Sequence, residues 1–328
     1  MRVLVAGGCG FVGSHLLDRL LRRADIREVV VVDNLWTGLK GNLAHISDAR
    51  LILIIGDVEF LNHKDCFDEI YHLASPASPP WYMADPVRTI SANVAGALRM
   101  LSALAPGGLI CFTSTSEVYG DPSVSPQPES YFGTVDCTGP RASYDEAKRC
   151  TEALLFEASR VHGIRIKVAR LFNVFGPRTR MDDGRAVSNF VTQALRRLPL
   201  TIHGDGSQTR SWGYIDDIID ALERFFWLDG SDYPGPLNIG NSREVPVIEV
   251  AEYIRRRFKG SRLKFLPAVV QDPTNRRPDL TLCNQIIPGW TCKVPYEEGV
   301  ERTIDWFEHE LSGKAGGAVA GLVELRVA

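Results

Sequence analysis

Three glycines, at positions 7, 10 and 13, constrain this chain more than any other feature. An apolar run over residues 2–6 leads into them, and Phe11, Leu16, Leu17, Leu20 and Leu21 then recur at helical spacing. Val29 to Val32 read as a second buried strand ending in Asp33, 20 residues after the last glycine. Glycines in such a turn let backbone N–H groups approach a pyrophosphate at the helix N-terminus. The acid is placed to take the adenosine ribose hydroxyls. The glycine spacing alone is weak; set between strand and helix, with the distal acid, it is specific. An acid at position 33 also repels a 2′-phosphate, which favours NAD over NADP. Phe11, Val12 and Asn34 fall in the same set of expected cofactor contacts.

The chain continues in the same rhythm. Residues 51–55 form a third expected strand, followed by Asp57 and Val58, with Asp57 suited to the adenine amino group. Residues 70–74 form a fourth, closing on Leu73 and Ala74, two further cofactor contacts. Its His72 reads as a core histidine. Ser75-Pro76-Ala77-Ser78-Pro79-Pro80 is expected to be a fixed loop and not helix, because proline breaks helices and central strands. Asp85-Pro86 opens a helix over residues 86–104. Strands over 109–114 and 164–171 flank a helix over 143–162. Short apolar strands alternating with helices predict an α/β chain with a doubly wound parallel sheet.

Between those last strands lies the stretch that carries chemistry. Thr113-Ser114-Thr115-Ser116-Glu117 sits at and beyond a strand's carboxyl end, where open α/β sheets bind ligands. Tyr144 and Lys148 stand four apart on a helix and share one face. An ammonium beside a phenol eases its deprotonation, so Tyr144 is a candidate base toward a substrate hydroxyl.

After residue 172 the pattern changes to shorter elements. Strands are expected over 200–204, 210–214 and 237–240, and helices over 216–227, 247–258 and 298–311. Residues 1–172 read as the cofactor-binding domain, with 215–240 returning to it. Residues 173–214 and 241–311 read as a smaller mixed α/β substrate domain, and 312–328 as a poorly ordered tail. A net charge of −3 and the lack of a basic stripe exclude nucleic acid. Seven scattered cysteines, without C-x-x-C pairs, predict no metal site and no disulfide frame. With neither a signal-like core nor an 18-residue apolar run, no membrane contact is expected, and the expected location is cytoplasmic.

The glycine pattern with Thr115 and Tyr144-x-x-x-Lys148 resembles the extended short-chain dehydrogenases that modify nucleotide sugars, over about residues 1–310. That resemblance implies a Rossmann-type fold. Within the family, four strings are most similar to the decarboxylases of UDP-glucuronate: residues 72–80, 114–122, 139–149 and 183–190. Related 4,6-dehydratases typically carry Asp-Glu after the threonine, and 4-epimerases usually carry no acid there; these are the alternative activities. Here Ser116-Glu117 follows Thr115, and Arg276-Arg277-Pro278 supplies a late arginine. The chain departs from the family pattern at Trp36, where Phe is common, and at Ser211-Trp212-Gly213, where Ala-Phe-Gln is more usual.

The resemblance implies NAD as a tightly held cofactor, UDP-glucuronate as the nucleotide-sugar substrate, and a homodimer through the helices over 86–104 and 143–162. It implies catalytic roles for Thr115, Ser116, Glu117, Tyr144, Lys148 and Arg276. Glu117 or a nearby water would return a proton to the substrate, and Arg276 would hold the departing carboxylate, since arginine is a poor acid. Asn173, Arg185 and Arg210 are expected on the diphosphate, with Tyr119 and Asn189 as further substrate contacts.

Overall fold

The computed structural model describes residues 1–61, 66–228, 233–269, 272–313 and 323–326. The first half runs β1 (Arg2–Ala6), α1 (Phe11–Leu20), β2 (Glu28–Asp33), β3 (Leu51–Ile55), β4 (Phe67–His72), α2 (Pro79–Ala84), α3 (Pro86–Ala103), β5 (Leu104–Thr115), α4 (Ala142–His162) and β6 (Arg165–Leu171). The second half adds β7 (Val174–Phe175), α5 (Ala186–Leu195), β8 (Leu200–His203), β9 (Thr209–Ser211), β10 (Gly213–Tyr214), α6 (Ile215–Phe226), β11 (Leu237–Ile239), β12 (Glu244–Pro246), α7 (Val247–Arg257), β13 (Leu263–Leu266), α8 (Thr281–Ile286), α9 (Tyr296–Leu311) and β14 (Val323–Arg326).

One sheet dominates, in the order β11-β6-β5-β4-β1-β2-β3-β14, and every pairing in it is parallel. Side chains alternate across the pleat, so each strand feeds two cores. Val3, Val5, Val29 and Val31 face α1 and its neighbours, whereas Leu4, Ala6, Val30 and Val32 face the layer that includes Met100 of α3 and Leu155 of α4. Strand order reverses direction between β1 and β4, which opens a crevice at the carboxyl ends of the strands.

The structure departs from expectation at several points. Residues 79–84 are helical, although 75–80 was expected to be loop throughout. Pro79 and Pro80 occupy the first turn, where no N–H partner is needed and a φ near −65° suits the helix. Of the tail, Val323–Arg326 pair in parallel with β3 at the sheet's edge, and residues 314–322 and 327–328 lie outside the described residues. The expected strand over 210–214 is two short strands, with β9 pairing to β12 and β10 to β7. Strand β11 does return to the main sheet beside β6.

Candidate active site

The glycine turn is built for close approach. Gly7 has φ +83°, and a Cβ there would lie 2.8 Å from the Ala74 backbone nitrogen. A Cβ on Gly13 would overlap the Gly7 carbonyl oxygen. The first turn of α1 has no side-chain cap, so its N–H groups face the crevice unspent. Gly7, Gly10, Phe11, Val12, Gly13, Asp33, Asn34, Asp57, Val58, Leu73 and Ala74 all line one continuous cleft with Thr115, Ser116, Glu117, Tyr144 and Lys148. The lining of the cradle therefore fits a dinucleotide.

Asp33 is buried at the end of β2 and accepts hydrogen bonds from the Cys9 and Leu35 amides, both at 2.9 Å. Burial raises its carboxyl to about 6 against those two bonds. Asp57 has a partner that the sequence did not reveal. Burial pushes its carboxyl up, but hydrogen bonds from Asn34 and Arg88 outweigh this and hold it below the usual range. Arg88 lies 2.9 Å from Asp57 and stacks 4.8 Å above the Trp36 ring. Trp36, the departure from the usual Phe, is thus one wall of this end of the cleft.

Tyr144 and Lys148 share the inner face of α4, both buried. Lys148 donates to the Thr113 carbonyl at 2.8 Å, and its Nζ lies 5.8 Å from the Tyr144 ring centre. Burial lowers its ammonium to about 7. Burial also raises the Tyr144 phenol above its ordinary value, with a Thr115 hydrogen bond pulling the other way. Burial thus works against ionisation of Tyr144, and positive charge brought near the phenol would oppose it.

Glu117 sits in a short helical turn just past β5 and meets two arginines. Arg276 grips both of its oxygens and also donates to Ser116 Oγ at 3.1 Å. Arg141, from the N-terminus of α4, reaches Glu117 Oε2 at 2.6 Å. Burial raises the carboxyl, but Arg276 and Arg141 together override it and hold Glu117 well below the usual carboxylate range. It is an anion here, which argues against Glu117 as the direct proton donor unless one arginine is drawn away. Arg141 lay inside one of the recognised strings without a role; nothing in the local pattern pointed to a partner 24 residues earlier.

A second cleft adjoins the first, sharing Glu117, Asn173 and Arg185. Arg185 pairs with Asp183 at 2.6 Å, and Arg210 with Asp272 at 2.9 Å. Asn189 lines this cleft while its amide donates to the Gly184 carbonyl. Asn173 Oδ1 is buried with no hydrogen-bond partner among the described residues. Tyr119, expected on the substrate, lies elsewhere. It is 1% exposed and lines neither cleft, with its hydroxyl donating to Asn238 at 2.8 Å and accepting from Arg170 at 3.0 Å. Tyr82 takes a place that the sequence did not assign. Its ring stacks on Tyr144 at 5.1 Å with 6° between planes, and its buried hydroxyl has no hydrogen-bond partner among the described residues.

The model of the NAD dependent epimerase/dehydratase family matches residues 3–240. UDP-glucuronic acid decarboxylase 5 of Arabidopsis thaliana is 48% identical over 92% of this chain and 87% of its own. UDP-glucuronic acid decarboxylase 1 of Danio rerio is 45% identical over 96% of this chain and 74% of its own. Among solved structures, UDP-glucuronic acid 4-epimerase from Bacillus cereus, in complex with UDP-glucuronic acid and NAD, superposes with a TM-score of 0.83 at 26% identity, covering 94% of this chain and 100% of that one. UDP-glucose 4-epimerase from Thermotoga maritima, with UDP-glucose, gives 0.82 at 28% identity, covering 95% and 100%. The chain belongs to the NAD dependent epimerase/dehydratase family and groups within it with the UDP-glucuronic acid decarboxylases.

Proposed function

We propose that this protein is an NAD-dependent carboxy-lyase that converts UDP-glucuronate to UDP-xylose and CO2. The observation that carries this reading is the contact of Arg276 with both Ser116 and Glu117, which places a cation and an acid directly past the threonine of a sugar-oxidising site.

The carboxylate on C5 cannot leave until C4 is a ketone, because the electron pair of the breaking bond needs an acceptor. When held by the cradle of Gly7, Gly10, Gly13 and Asp33, NAD+ would supply a positively charged ring able to take a hydride from C4 and give it back. Tyr144 takes the C4 hydroxyl proton, and Thr115 hydrogen-bonds the C4 oxygen. Free tyrosine ionises near 10, so work near neutrality needs a shift of roughly three units, about 4 kcal/mol. Lys148 and the ligand's positive charge are the sources of that shift. When the C5–carboxylate bond breaks, its electron pair moves onto the C4 oxygen as an enolate, which Thr115 and Tyr144 steady. Arg276 positions the carboxylate, and Ser116 orients it or the water that returns a proton to C5. The C4 ketone is then reduced and Tyr144 returns its proton, so the reaction consumes one proton and involves no net redox change.

Arg185, Arg210 and Asn173 line the second cleft and are proposed to hold the diphosphate. The charge of each arginine is partly met by Asp183 or Asp272, so a diphosphate would draw on cations already held in place. A homodimer through α3 and α4 is proposed as well; Val87, Ile90 and Leu98 on α3 and Val161 on α4 are exposed. Light scattering would test it, and a monomer at assay concentration would exclude it.

The decisive experiment is incubation with UDP-glucuronate, followed by NMR of the sugar and measurement of CO2. UDP-xylose with equimolar CO2 is the expected result. Recovery of a C4 epimer alone would overturn the decarboxylase reading.

A further inference from the structure

We propose that Gln127 is a positioning residue that sets Arg276 against Ser116 and Glu117, and so governs the decarboxylation step. The proposal rests on the decarboxylase reading above.

Gln127 is 1% exposed and lies in neither cleft, so it does not meet substrate. Its polar groups instead bracket Arg276. The Gln127 amide N–H donates to the Arg277 carbonyl at 2.8 Å, and its carbonyl accepts from the Asp279 amide at 2.9 Å. The side-chain Oε1 accepts from the Arg277 amide at 2.8 Å, and Nε2 donates to Asn275 Oδ1 at 3.3 Å. Gln127 and Pro278 form an isolated parallel bridge. Nε2 also donates to the Val124 carbonyl at 2.7 Å, and Asn238 donates to the Gln127 carbonyl at 2.9 Å, so Gln127 is itself anchored.

The segment it holds has little means of fixing itself. Residues 272–279 contain no helix or strand beyond that one bridge. Backbone groups of such a segment must find partners outside it, and those partners set its register. Arg276 is 3% exposed, and its Nε is buried without a hydrogen-bond partner among the described residues. Its two outer nitrogens bond Ser116 and Glu117, so its aim depends on where the backbone is held. A second tie comes from Asp121, whose Oδ1 accepts from the Thr274 amide at 3.2 Å and its hydroxyl at 3.4 Å. Thus the segment after β5 that carries Ser116 and Glu117 also reaches out, through residues 121 and 127, to fix the distant arginine that serves them. Hydrogen bonds weaken steeply with distance and angle, so a small shift of this backbone unseats the guanidinium.

The test separates oxidation from carbon–carbon cleavage. Wild-type enzyme, Gln127→Met and Gln127→Glu are each loaded with NAD and mixed with UDP-glucuronate labelled at the carboxyl carbon. NADH absorbance reports C4 oxidation, and released label reports cleavage. The methionine variant keeps volume and loses every side-chain hydrogen bond. It is expected to oxidise within about twofold of wild type but to release CO2 about tenfold more slowly or worse, the scale of ångström misplacement. The glutamate variant keeps an acceptor for the Arg277 amide and is expected to recover most of the cleavage rate. Unchanged CO2 release in the methionine variant, or equal slowing of both steps, would overturn the proposal. Should that variant fail to fold, Asp121→Ala is expected to show the same split at smaller size, and its absence there would overturn the proposal too. Wild-type enzyme that releases no CO2 overturns the decarboxylase reading itself, and this inference with it.

Discussion

Arg276 and Glu117 stand 159 residues apart in sequence and share a two-pronged ion pair where the second cleft adjoins the cofactor cleft. Removing one partner leaves the other charge buried, and losing Arg276 also removes the cation proposed to position the leaving carboxylate. Arg276→Ala is therefore expected to lower the rate of CO2 release by about 10²–10³-fold, the usual cost of one transition-state donor. NADH formation on mixing with substrate is expected to persist, because Thr115, Tyr144 and Lys148 are untouched. Parallel loss of both signals would contradict the division of labour.

Tyr144→Phe tests the other half. The phenyl ring can keep its stack on Tyr82, so the packing of α4 is preserved. Loss of the hydroxyl removes the base and the hydrogen bond to Thr115. Turnover is expected to fall by about 10²–10⁴-fold, the range of general-base contributions. NAD content after purification is expected to match wild type; near-normal turnover would refute the mechanism.

Asp145, beside Tyr144, gives a prediction in pH. Burial and the nearby Glu117 raise its carboxyl to about 7, with Arg141 and Arg276 opposing. An unfolded aspartate ionises near 3.9. The folded state therefore binds more protons between those values, so this residue's contribution to stability falls as pH rises through that window. Relative to wild type, Asp145→Asn is expected to gain melting temperature progressively between about pH 5 and pH 8. A constant offset across that range would show that Asp145 does not titrate there.

Gly13→Ala addresses the cofactor turn. The added methyl meets the Gly7 carbonyl and the Gly8 backbone, neither of which can move without opening the turn. The variant is expected to purify with substantially less NAD than wild type, measured by releasing and quantifying the nucleotide. Full retention would mean that the turn relaxes at little cost.

The parts of this molecule that sequence exposed are those whose cause is local. The turn at Gly7–Gly13, the acid at Asp33 and the Tyr144–Lys148 face each follow from spacing within one helix or across consecutive elements. Arg276 was reached only by resemblance, because no periodicity links it to Glu117. Arg141, Tyr82, Arg88 and Gln127 went unassigned for the same reason, as each gains its meaning from a partner on another element. Tyr119 was misplaced because it adjoins the catalytic string; the chain turns there and sends its ring into a cluster with Phe172 and Tyr131. Pro79-Pro80 misled in the opposite way, since residues that break a helix interior are at home in its first turn.

Helix α4 presents Arg141, which reaches Glu117, at its lip and Tyr144 one turn in, so the partner of Glu117 and the proposed base are mounted on a single rod. Three residues of helix rise amount to about 4.5 Å along the axis. That spacing acts as a ruler laid beside the sugar ring: it cannot be retuned by loop changes, only by changing the helix itself. Divergence toward other outcomes on this scaffold would then be freest off the rod, at Ser116, Glu117 and the segment that delivers Arg276, while the ruler stays as it is.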